Sequence, residues 1–148
     1  MNEKIFEIRM KVGKPIVVGQ DDIVGRRQLI PIESGTVSGN HVSGHVLPGG
    51  VDSQLIDSDG KCTLSARYAI KLTDGATIYI ENNGIRTVPE SYKKAVTKGE
   101  FIDSELYYFR TVPIFETYDT PYKWLMEKIF VGYASRTTDE VLLTIYMV

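Results

Sequence analysis

Cysteine and histidine are almost missing from this 148-residue chain, and their scarcity removes several chemistries at once. The single cysteine, Cys62, has no partner for an internal disulfide, which fits a reducing compartment. The two histidines, His41 and His45, stand four apart in a Gly-containing extended region. Along a straight strand that spacing is about 13 Å, too wide for one ion, and no third ligand lies close in sequence, so no metal site is expected. No GxSxG elbow supplies an activated serine, and no Walker or Rossmann glycine loop offers a phosphate cradle, so no cofactor is expected either. Nor is there a long apolar run: nothing approaches the roughly eighteen residues of a membrane helix. Seventeen basic against nineteen acidic side chains leave a net charge of -2, a field too weak to gather nucleic acid or an anionic membrane. The opening MNEKIFEIRM is charged rather than apolar, unlike a signal peptide, and a cytoplasmic location is the expectation. A membrane β-barrel has a similar alternating pattern, and the missing export signal argues against it.

What is present is alternation of period two, broken by Gly, Asp, Asn and Pro. Phe6, Ile8, Met10 and Val12 share one face of an opening strand. Extended runs at 28–37 and 42–47, joined through Ser38-Gly39-Asn40-His41, read as a hairpin. After Pro48-Gly49-Gly50 come strands at 51–56 and 62–72, the second with Leu64, Ala66, Tyr68, Ile70 and Leu72 on one face, and Thr73-Asp74-Gly75 turns it into 76–81. Residues 89–98 read as one short helix opened by Pro89 and stopped by Gly99. Strands at 106–117, 128–134 and 141–147 finish the chain. Eight to nine short sequential strands without helical crossovers imply one all-β domain over 1–148, a closed antiparallel meander barrel in preference to a two-sheet sandwich.

A set of motifs runs through this pattern in order: Gly25-Arg26-Arg27, Pro31-Ile32, Gly35-Thr36-Val37, Leu47-Pro48-Gly49-Gly50 with Asp52 and Gln54, and Ala66-Arg67-Tyr68. It continues with Ile78-Tyr79-Ile80 followed by Asn82 and Gly84, Tyr108-Phe109-Arg110-Thr111, Phe115-Glu116-Thr117, Trp124-Leu125 and Phe130-Val131-Gly132. In order and spacing the set resembles domain-of-unknown-function family 3237, also called uncharacterised protein family 0311. The resemblance implies a single soluble meander barrel, similar in topology to small outer-membrane barrels, with no settled general activity. Some fungal relatives are associated with ring-forming steps on polyketide-like aromatics, which implies a barrel able to hold a small organic molecule.

The candidate site residues are polar or aromatic side chains set among apolar strand positions. Arg110, read on one face with Leu106, Tyr108, Val112 and Ile114, either enters a cavity or ends in a buried pair. Glu116 shares that face about 20 Å away, so the two pair only if the strand bends at Pro113. Asp52 and Gln54 point to one side of their strand; Asp52 would be a fixed anion beside an arginine, an acid in a dry pocket, or a partner of the Gly49-Gly50 amides. Arg67 and Tyr79 lie opposite the apolar faces of their strands and reach a pocket only if the polar faces turn inward, an arrangement the pattern leaves open. That arrangement would turn the Leu64 to Leu72 face outward, to be covered by the short helix or by another subunit, and exposed apolar walls of this kind predict a homo-oligomer. Trp124, in a loop, reads as a plug, and Tyr108 as the ring best placed for a ligand.

Three readings follow. The barrel holds a small aromatic or acidic metabolite on Arg110 or Arg67 with tyrosines around the ring. Alternatively it is a cofactor-free isomerase, lyase or cyclase in which Asp52 or Glu116 moves a proton and an arginine or tyrosine holds the oxyanion. A filled interior would instead leave a structural oligomer subunit.

Overall fold

Alternation becomes strand along most of the chain in the structure, a computed structural model that describes residues 3–40, 42–97 and 100–148. The strands are β1 (Glu3–Val12), β2 (Ile16–Asp21), β3 (Gly25–Ser38), β4 (Ser43–Val46), β5 (Gly50–Ile56), β6 (Cys62–Leu72), β7 (Thr77–Thr87), β8 (Tyr108–Thr117), β9 (Phe130–Arg136) and β10 (Glu140–Met147). Neighbours pair antiparallel from β6 through β10, β10 pairs with β1, and β1 pairs with β3. Between β3 and β6 lie β4 and β5, each bonded to both and sharing one position in the ring. The result is a closed barrel of eight staves with two extra strands. The chain breaks the shared stave at residues 47–49, where Gly49 takes the left-handed φ of 103° that a side chain resists.

The strand missed by pattern is β2. Ile16-Val17-Val18 does not alternate, because every residue of β2 is exposed and no face needs to be apolar. β2 runs in the direction of β1, beyond residues 13–15, and pairs only with the outer half of β3. The short helical segment is confirmed as a 3-10 turn, Glu90–Tyr92, leading into α1 (Lys93–Thr97), with Pro89 just before it. The stop at Gly99 lies outside the described residues.

Apolar faces point inward. Phe6, Ile8, Met10 and Val12 of β1 and Leu64, Ala66, Tyr68, Ile70 and Leu72 of β6 are buried, while Arg67 and Lys71 are exposed. The Leu64 to Leu72 face is therefore core, and an outward apolar wall there gives no reason for an oligomer. In β8 the faces are the reverse of the sequence reading. Phe109, Thr111, Pro113, Phe115 and Thr117 are buried, and Tyr108, Val112, Ile114 and Glu116 are exposed. Both faces of β8 carry apolar side chains, so alternation alone could not choose, and the aromatic face filled the barrel.

One end of the barrel is shut by rings. Phe115 meets Phe6 and Phe130 edge to face, with centroids 5.8 and 5.1 Å apart. Each buried ring contributes about 1.5–3 kcal/mol through burial. A 3-10 segment, Thr120–Met126, crosses this end and buries Leu125, and the Tyr122 hydroxyl donates to Asp74 Oδ2 at 2.5 Å, tying the segment to the β6–β7 turn.

Candidate functional site

Going from the closed end to the opposite one, the inward face of several strands changes from apolar to polar without a change of register. In β7 it reads Ile78, Ile80, Asn82, Gly84, Arg86; in β3, read backwards, Ile32, Ile30, Gln28, Arg26. β5 supplies Asp52 and Gln54, and β9 passes from Phe130 through Gly132 and Ala134 to Arg136. The pairings Gln28↔Gln54, Asp52↔Ala66, Ala66↔Asn82, Cys62↔Arg86 and Arg86↔Phe109 set these side chains around one interior.

A chain of hydrogen bonds lines one wall. Arg26 Nε donates to Gln28 Oε1 at 2.9 Å, Gln28 Nε2 to Gln54 Oε1 at 2.8 Å, and Gln54 Nε2 to Asp52 Oδ2 at 2.8 Å. Both amide orientations are fixed by this sequence of donors, which ends on a carboxylate. The other Asp52 oxygen, Oδ1, is buried with no hydrogen-bond partner among the described residues. So are Tyr68 Oη, Asn82 Oδ1, Arg86 Nη1 and Thr111 Oγ1. Buried polar groups are ordinarily bonded, so these five atoms mark where the interior has hydrogen-bonding capacity left for water or a ligand.

Charge in this end is unbalanced: Arg26, Arg86 and Arg136 face inward against one inward carboxylate, Asp52. Burial pushes the Asp52 carboxyl above the usual carboxylate range, against the opposing pull of the Gln54 bond and of Arg136 and Arg86. Burial, and then the like charge of Arg86, hold Arg136 below its ordinary value, while Asp52 pulls it up. Burial also raises the Cys62 thiol, with Arg86 opposing it. The fully buried Tyr68 phenol is pushed up by burial and by Asp52. Arg86 stacks over Phe109 at 5.6 Å, and Arg136 turns its Nε and Nη2 to the carbonyls of Thr137 and Thr138 at 3.0 and 3.3 Å. The Tyr107 hydroxyl accepts the Arg136 backbone N–H at 3.1 Å.

Of the residues expected at a site, the structure brings Asp52 and Gln54 into this interior and scatters the others. Asp52 bonds Gln54, and no bond to the Gly49-Gly50 amides is formed. Arg67 makes an exposed ion pair with Glu81 at 2.8 Å, matching their cross-strand register, and Tyr79 faces outward beside it. Arg110 lies on the outer wall, its guanidinium 4.0 Å from the Tyr133 ring and 5.4 Å from the Tyr108 ring, with Nη1 and Nη2 donating to the Ser104 carbonyl at 3.3 Å. Neither a cavity inside the barrel nor a buried ion pair receives it; the inverted face of β8 carries it to a surface groove of about 490 Å³ that Tyr108, Val112 and Val131 also line. Glu116, also outward, accepts the Tyr118 hydroxyl at 2.8 Å, and β8 runs through Pro113 without bringing Arg110 to it. Trp124 packs 6.1 Å from Phe130 at the closed end, partly exposed, with its neighbour Leu125 as the buried plug. His45 is exposed on β4, and His41 lies outside the described residues.

Sequence reasoning missed Arg26, Gln28, Tyr68, Asn82, Arg86, Thr111 and Arg136. For Arg26, Gln28, Asn82, Arg86 and Arg136 the signal is a strand face that turns from apolar to polar at the same end of successive strands; Tyr68 and Thr111 sit within apolar faces and carried no such signal.

Fold and site together define a closed antiparallel β-barrel with a shut aromatic end and a polar, cationic interior end. The chain belongs to the family of proteins of unknown function designated DUF3237, whose model matches residues 2–148. A UPF0311 protein of Clostridium acetobutylicum is 64% identical over 146 residues, covering 99% of this chain and 92% of that protein. A crystal structure of a protein with unknown function from Clostridium acetobutylicum superposes with a TM-score of 0.90 at 62% identity, over 99% of this chain and 95% of the other. The conserved protein of unknown function RPA1785 from Rhodopseudomonas palustris gives a TM-score of 0.93 at 38% identity, over 99% and 96%.

Proposed function

We propose that the polar end of the barrel binds a small organic anion that also carries hydroxyl or carbonyl groups. The observation that carries this reading is the cluster of buried, unpaired polar atoms on Asp52, Tyr68, Asn82, Arg86 and Thr111. Buried water could satisfy the hydroxyls and the amide. It carries no charge to set beside the half-buried Arg86 and Arg136, which face one carboxylate whose burial favours its neutral form. An anion beside Arg86 and Arg136 does, and its polar substituents meet Tyr68 Oη, Asn82 Oδ1 and Thr111 Oγ1 deeper in the barrel. Phe109 and Tyr107 supply ring surface at the same level as Arg86, which favours a flat or aromatic acid.

The test is a thermal-shift and calorimetric comparison of hydroxybenzoate isomers with the matching neutral hydroxybenzamides, together with mass spectrometry of protein recovered from cell extract. Acids should bind and amides should not; Arg86→Gln should abolish binding, and Arg110→Ala, on the outer wall, should leave it intact. Equal binding of acid and amide, or loss only in Arg110→Ala, would overturn the assignment to the interior.

Asp52 favours a second reading, a cofactor-free acid–base enzyme. Its unpaired Oδ1 and raised proton affinity suit a group that takes a proton from a carbon beside a carbonyl and returns it to another atom of the same molecule. Arg86 and Arg136, both within electrostatic reach, would hold the intervening oxyanion. Solvent deuterium entering a bound keto acid in wild type but not in Asp52→Asn would support proton transfer; equal or absent incorporation would leave binding alone.

A further inference from the structure

The ribbon made by β2 and residues 25–29 of β3 is closed on its β3 side by β5 and open on its β2 side, and β2 with the turn that follows it carries a run of exposed apolar side chains. Ile16, Val17 and Val18 are between 49% and 64% exposed, Ile23 is 94% exposed and Val24 61%. The ribbon is nevertheless built rather than loose at its tip: Asp21 Oδ1 accepts the backbone N–H groups of Ile23 and Val24 at 2.9 and 2.6 Å, fixing the turn that presents them. Among the described residues β2 pairs with β3 on one edge and with nothing on the other, so alternate N–H and C=O groups of the strand are open to another chain.

Protected edges carry charge in mid-strand, and β2 does not. From Ile16 to Gln20 it has no ionisable residue; Lys14 precedes the strand and Asp21 and Asp22 end it. That distribution is self-complementary in one sense only. Two β2 edges placed antiparallel about an axis near Val17 and Val18 set Lys14 of each copy against the acidic end of the other, whereas parallel alignment sets like charges together. The bulge between Val17 and Gly19 in the pairing with β3 limits such a ladder to a short one, so the apolar side chains of the ribbon must add to it.

We propose that β2 pairs edge to edge with β2 of a second copy of this chain, forming a two-fold antiparallel homodimer through the ribbon. The observations are independent of the interior site, and the dimer would stand whatever the barrel binds.

Light scattering after gel filtration of the full chain tests this. Wild type should show twice the 16.6 kDa chain mass, Val18→Lys the single mass, and Ile114→Lys, which charges the exposed outer face of β8, the doubled mass. Val18 lies outside the core, and an unchanged near-ultraviolet circular dichroism spectrum checks that the variant folds. Hydrogen exchange of wild type at rising concentration gives a second reading, with slowing expected at residues 16–20. A single mass for wild type, a doubled mass retained by Val18→Lys, or concentration-dependent slowing confined to other strands would overturn the proposal.

Discussion

The two ends of this barrel are made from the same strands and differ in almost everything else. At the closed end Phe6, Phe115, Phe130 and Leu125 fill the interior and leave a rim residue, Trp124, to cover them. At the other end, only a few residues further along the same faces, three arginines, an aspartate and a row of amides and hydroxyls occupy the interior, several of their atoms unpaired. The difference teaches where stability and function are divided. The aromatic end holds the ring together, and that lets the polar end keep groups that are costly to bury.

Variants at the two ends should separate those roles. Phe130→Ala at the closed end should cost about 3–5 kcal/mol in denaturant unfolding, since it opens a cavity between Phe115 and Trp124. Gln54→Ala breaks the wall of hydrogen bonds in two places and strands Gln28 and Asp52; about 1–3 kcal/mol should be lost in the same measurement. Arg86→Met should run the other way. Replacing a half-buried guanidinium whose Nη1 is unpaired by an apolar chain of similar length should raise stability by about 1 kcal/mol and abolish retention of organic acids, and a loss of stability would mean that Arg86 has a structural partner.

Asp52→Asn adds a pH signature. Burial makes the folded protein hold the Asp52 proton more tightly than the unfolded chain does, so the stabilising contribution is full below the unfolded carboxylate range and is lost as pH rises through the folded value. The amide variant is neutral throughout. Its stability relative to wild type should therefore climb with pH across that window, as followed by thermal unfolding in a buffer series. Smallest of all, Arg67→Ala on the outer wall should change stability by no more than about 0.5 kcal/mol, because its ion pair with Glu81 is exposed.

The barrel was legible in the sequence because half of each strand had to be apolar: β1 and β6 alternate cleanly, and their apolar faces could be named residue by residue, although only the structure showed that those faces point inward. β2 was not legible, since a strand exposed on both faces obeys no pattern. The site was half legible. Asp52 and Gln54 stood out as polar residues beside an apolar strand, but Arg110 drew attention for the wrong reason, its neighbours Tyr108, Val112 and Ile114 being apolar and outward. Arg86 and Asn82 were hidden because a strand that changes from apolar to polar midway looks like a strand that ends, and β7 was read only as far as Glu81 when it continues to Thr87.

Ring closure has a consequence for how the chain reaches its native state. β1 is bonded on one side to β3, its near neighbour in sequence, and on the other to β10, with Glu7 facing Thr144 and Lys11 facing Glu140. The first strand thus cannot complete its pairing until β10 has been synthesised. Up to that moment the nascent chain carries two open edges, β1 and β9, and closing them brings together segments separated by almost the entire chain. Long-range pairing of this kind belongs to the slow range of domain folding, milliseconds to seconds, so docking of β10 on β1, rather than formation of the local β9–β10 hairpin, should set the pace of folding.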